Sequence, residues 1–188
     1  MSSSCDPRHA PAGDVGAAVM IVDSRLKAVY DGRTGTDAEH QQLIDHFTAS
    51  LTAQEAHDLL DGMCTLIFMY MKWLRMAHEQ HDKDVIATVV PNFVNSMRMM
   101  HRTVRPEVIP TMTGMLVAAG LDLSPSLWRR QFGEWTRDEM NPLEATALLL
   151  AEHINRITED RDFATRLITD ALSSSEESAE GGADEDPE

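Results

Sequence analysis

Apolar residues between positions 53 and 81 recur at helical spacing on more than one face: Leu59, Leu60, Met63, Leu66, Ile67, Tyr70, Trp73, Leu74 and Ala77. That pattern predicts a long, central and deeply buried helix. Its start is marked by Thr52-Ala53-Gln54-Glu55, a T-x-x-E box in which the threonine oxygen and the glutamate satisfy the free amides of the first turn. The same signature at Thr36–Glu39 predicts a shorter helix from about residue 37, carrying Leu43, Ile44 and Phe47. A third helix over about 83–104 places Val85, Ile86, Val89, Val90, Phe93, Met97 and Met100 inward. Pro91 should kink it by removing one backbone hydrogen bond. Pro106 opens a fourth helix with Val108, Ile109, Met112, Met115 and Leu116, which should stop at a left-handed cap on Gly120. Ser124-Pro125 caps a fifth, expected to bury Leu127, Trp128, Phe132 and Trp135 and to expose Arg129 and Arg130. Asn141-Pro142 starts the last periodic region, Leu143 to Leu172, which is one helix or two; no Gly or Pro marks a break within it. Val19–Tyr30 fits a helix or a small hairpin, with the helix favoured.

The ends lack this periodicity. Residues 1–14 are rich in Ser, Pro, Asp and Gly, and residues 173–188 are acidic and poor in apolar groups, so both are expected to be disordered around a helical domain of 15–172. No strand-like runs alternate with the helices, which excludes a parallel sheet. The expected fold is all-α, a single-domain bundle of six or seven helices.

Composition narrows the function classes. A chain of 188 residues has room for one domain. Its net charge of −15, of which the acidic tail contributes seven charges, opposes non-specific binding to nucleic acid or anionic membranes. Met63–Met71, the longest apolar run, spans nine residues, against about 20 needed to cross a bilayer. The N-terminus has neither the basic nor the apolar region of a secretory signal, and the two cysteines, Cys5 and Cys64, cannot form a disulfide framework. A cytoplasmic, bacterial protein with no membrane association is the expectation.

Chemistry is sparsely signalled. The nucleophile-elbow, phosphate-loop, dinucleotide and zinc-protease motifs are absent, and no cofactor is expected. Di-iron bundles need Glu-x-x-His on two helices, and no glutamate here is followed by histidine at that spacing. The nearest ligand grouping is His78 and His81, one helical turn apart, with His101 as a third candidate; a solvated helix end explains the first two equally. The stretch Ala118–Phe132 (AAGLDLSPSLWRRQF) resembles helix-turn-helix motifs of bacterial regulators. The resemblance implies a DNA-binding unit over 111–135, with Ser124, Arg129, Arg130 and Gln131 on the recognition helix. Methionines 63, 69, 71, 76, 97, 99, 100, 112 and 115 fill a core or line an adaptable surface. Because the long helix is apolar all round, Met69, Met71 and Trp73 are candidates for a contact with a second subunit. The leading expectation is a non-catalytic interaction or regulatory protein that self-associates or binds a protein partner. DNA-binding regulation stands second and a metal-dependent bundle enzyme third.

Overall fold

The computed structural model describes residues 4–33 and 49–180, with side chains described as far as residue 175. The helix predicted from residue 37 lies outside the described residues. Within them the chain forms seven α-helices and no strand: α1 Val15–Tyr30, α2 Ala53–Glu79, α3 Val85–Met99, α4 Ile109–Gly120, α5 Pro125–Arg130, α6 Arg137–Thr158 and α7 Phe163–Glu180. The fold is an all-helical bundle, and Val19–Tyr30 is helical.

Helix α2 is the axle. Its first turn is closed reciprocally, with the Glu55 amide donating to Thr52 Oγ1 and the Thr52 amide donating to Glu55 Oε2. It touches each of the other six described helices. That contact explains why apolar residues cover its whole circumference. Leu66, Ile67, Tyr70, Met71 and Leu74 are fully buried, together with Met97 of α3, Met112, Met115 and Leu116 of α4, and Leu143, Leu150 and Ile154 of α6. The methionines divide: five of the nine are buried, while Met76 and Met99 are exposed.

Several boundaries differ from the sequence reading. Helix α4 does not end on a left-handed Gly120. Gly120 is its last helical residue, and a Cβ there would sit 2.8 Å from Ile86 Cγ1, so the glycine serves close packing of α3 on α4. The left-handed residue is Asp122 (φ 63°), a side chain that tolerates this region better than most. Helix α6 begins at Arg137, one turn before Asn141-Pro142. Glu139 accepts from both the amide and the hydroxyl of Thr136, each at 2.8 Å. The region 143–172 is two helices, separated at Glu159 (φ 55°). Buried Asn155 secures that corner, accepting from the Ala164 amide at 2.7 Å and donating to Tyr30 Oη at 3.1 Å.

Residues 4–14, read from composition as unstructured, are docked. Cys5 is buried, its carbonyl accepts from the Ser124 amide, and the Asp14 amide donates to Asp58 O at 2.7 Å. The approach depends on two glycines. A Cβ on Gly13 would lie 2.2 Å from Gly62 N, and one on Gly62 would lie 2.3 Å from Asp14 O. At the other end, α7 continues through residues 173–180, part of the expected disordered tail.

Candidate functional site

Two hollows carry the polar and cationic groups of interest. The first is built around the residues that sequence placed on a DNA-recognition helix, and the structure assigns them other work. Helix α5 has only six residues. Ser124 is its buried N-cap, accepting from the Leu127 amide. Arg129, expected at the surface, is 4% exposed. Its Nε and Nη2 donate to the two oxygens of Glu139 at 2.7 and 2.6 Å, and Nη1 and Nη2 donate to the carbonyls of Gly133 and Glu134 at 2.9 Å. The guanidinium also lies 5.0 Å from the Trp135 ring centroid. The 131–136 loop is thus wrapped around one arginine, which cannot reach a base edge. Glu139 receives four donors, two from Arg129 and two from Thr136. Burial opposes its charge, but those donors hold its carboxyl below the ordinary glutamate range.

Arg130 turns the other way. With its side chain 48% exposed, it donates through Nη2 to Asp61 Oδ2 at 2.6 Å. Gln131 donates to Cys5 Sγ at 2.8 Å, which ties α5 to the N-terminal segment. Asp61, His57, Arg130, Gly133, Glu134 and Trp135 line an open hollow of about 350 Å³ between α2 and the loop. Asp61 has only 7% of its side chain exposed. Burial raises its pKa even though Arg130 and His57 pull it down. Sequence reading missed Asp61 and His57, although their i, i+4 spacing on α2 placed them on one helix face.

The second hollow, about 230 Å³, lies where α3 passes into α4 and is lined by Arg98, His101, Val104, Pro106, Ile109 and Pro110. Arg98, Met99, His101, Arg102 and Arg105 are all exposed, Met99 at 81%. Arg105 pairs with Asp138 at 3.1 Å, while no described carboxylate pairs with Arg98 or Arg102. Most other arginines of the described chain have an acidic partner.

The remaining candidates separate. His78 donates from Nδ1 to the Leu74 carbonyl at 2.7 Å, His81 lies exposed in the turn after α2, and His101 sits at the second hollow. Among the described residues no group of three His, Cys, Asp or Glu side chains could hold a metal ion. The proposed contact of Met69, Met71 and Trp73 with a second subunit loses its premise. Met71 is in the core, Met69 is partly buried against it, and the Trp73 ring lies 5.3 Å from that of Phe163. No described helix is long and apolar enough to cross a membrane. Comparison with protein-family models, curated proteins and solved structures finds no match in any of the three.

Proposed function

We propose that the protein acts without catalysis, by binding an acidic protein partner at the α3–α4 junction. The observation that carries this reading is the pairing of free charge with apolar surface. Arg98 and Arg102 have no carboxylate partner among the described residues, and Arg98 lines a hollow whose walls include Val104, Ile109, Pro106 and Pro110. Such a surface suits a segment that inserts one aliphatic side chain and presents acids beside it, because the charges steer encounter and the apolar anchor supplies affinity. The chain's net charge of −15 makes a local cationic face the exception on this molecule.

A DNA phosphate backbone is the competing ligand for the same arginines. The test measures binding of a labelled peptide with one leucine among glutamates beside a duplex of equal charge, over a salt series. The expected outcome is peptide binding that falls on Leu→Ser substitution in the peptide and on Arg98→Ala with Arg102→Ala in the protein. Tighter binding to the duplex, with no effect of the peptide's leucine, overturns the reading.

A further inference from the structure

Three exposed arginines at one end of the bundle pair with no described carboxylate: Arg98, Arg102 and Arg137. Arg98 and Arg102 lie on either side of His101 in the α3–α4 junction, and Arg137 opens α6. The Arg105–Asp138 pair, at 3.1 Å, ties that junction to the first turn of α6, which brings all three to the same end. Of the acids there, Asp138 is taken by Arg105 and only Glu107 is left over, so this end stays cationic on a chain of net charge −15.

The chain's own C-terminus returns to that end. Helices α6 and α7 are joined by the short turn 159–162 and pack against each other, so they run antiparallel, with Leu167 and Leu172 holding α7 on the core. At about 1.5 Å per residue, the 18 residues of α7 retrace most of the 22-residue α6 and bring Glu180 back toward its first turns. Gly181 and Gly182 follow, which leave the direction of the chain open. The last six residues, Ala183 to Glu188, hold Asp184, Glu185, Asp186 and Glu188 and no base. From Glu180 the remaining chain reaches about 26 Å when extended, against a helix width of about 10 Å.

We propose that residues 183–188 dock on the face of Arg98, Arg102 and Arg137 and compete there with an acidic partner. This rests on the reading of that face as the binding surface and adds its regulation. The tail brings charge but no large aliphatic side chain, so it neutralises the arginines without filling the hollow between Val104 and Ile109. A partner that carries acids and an apolar anchor displaces it, whereas one that carries acids alone meets a face already neutralised.

A nitroxide on Ala183→Cys tests the docking in the full chain, since Cys5 and Cys64 are both buried and leave the new thiol to react. Amide signals of residues 98–105 should broaden at about 50 mM salt and recover at about 0.5 M, where the charges are screened. Arg98→Ala with Arg102→Ala should remove the broadening. Neutralising the tail with Asp184→Asn, Glu185→Gln, Asp186→Asn and Glu188→Gln should tighten binding of the leucine–glutamate peptide about tenfold, because a tethered competitor at millimolar effective concentration is gone. Broadening with no peptide binding to either chain would uphold the docking and sink the partner reading. No broadening over 98–105 at low salt, broadening undiminished in the double variant, or a bound peptide whose affinity ignores the neutralised tail overturns the proposal.

Discussion

Arg129 and Arg130 are neighbours in sequence, each with a carboxylate 2.6 Å away, yet the two pairs have opposite characters. Arg129–Glu139 is buried on both sides, two-pronged, and supplemented by two carbonyls and two donors from Thr136. Arg130–Asp61 is a single contact between a half-exposed cation and a buried acid. The pKa directions record the difference, with Glu139 below and Asp61 above the ordinary range of its residue type. An ion pair stabilises its charges when hydrogen bonds replace the lost water in full, and falls short when one partner is buried further than its donors can follow. The first pair builds the 131–136 loop; the second leaves a mostly buried acid in the wall of a hollow.

Removing each arginine tests this most directly. Arg129→Ala is expected to lower unfolding free energy by about 3–5 kcal/mol, because it strands a buried carboxylate and two carbonyls. Arg130→Ala should cost about 1–2 kcal/mol, since Asp61 can take water or a proton through the hollow. Denaturant unfolding at neutral pH reads both, and equal losses would erase the distinction.

Charge-conserving variants sharpen it. Lysine offers one compact ammonium where Arg129 uses three nitrogens in a plane. Arg129→Lys should therefore remain at least about 2 kcal/mol below the parent. Arg130→Lys, which has only one contact to replace, should recover most of what alanine loses. Full recovery by Arg129→Lys would mean that charge alone, not the fork, holds the loop.

The same contrast predicts opposite pH dependences. Glu139 has a depressed folded pKa, so its contribution is present above the unfolded value of about 4.3 and is lost as pH falls through the lower folded value. Asp61 has a raised folded pKa, so it favours the fold below about 3.9 and that contribution is lost as pH rises through the higher folded value. In stability measured from pH 6 to 2.5, Glu139→Gln should flatten part of the acid-side fall and Asp61→Asn should steepen it. Changes of the reverse sign would refute the environments described for the two acids.

Much of the scaffold was legible in the sequence because the signals were local. Thr52–Glu55 placed the start of α2, and Ser124 placed that of α5, as side chains bonding amides three residues away. The start of α6 was equally legible, since Thr136-Arg137-Asp138-Glu139 is another T-x-x-E box, but Pro142 drew the boundary a turn too late. The site was not legible. Whether Arg129 is exposed depends on Glu139 and Trp135 folding back over it, and Arg130 meets Asp61 from 69 positions away. The all-round apolar character of α2 was legible, but not that six helices of its own chain pack against it. Composition likewise could not reveal the docking of residues 4–14, which rests on Gly13 and Gly62 leaving room for backbone to touch backbone.

The smallest effect concerns the arginines outside both pairs. Arg98 and Arg102 are exposed, lack a described acidic partner and brace no loop. Exposed groups without partners contribute little to folding, so Arg98→Ala with Arg102→Ala should leave the denaturation midpoint where it was. Removing two unpaired positive charges makes the chain more acidic, and any slight destabilisation from that should disappear in 0.5 M salt as screening shortens the range of the field. The variant separates arginines used to build the fold from arginines the fold leaves available. A clear loss of stability that persists at high salt would show that the α3–α4 face is held by these side chains, which would place them with Arg129 and remove the basis for reading that face as a binding surface.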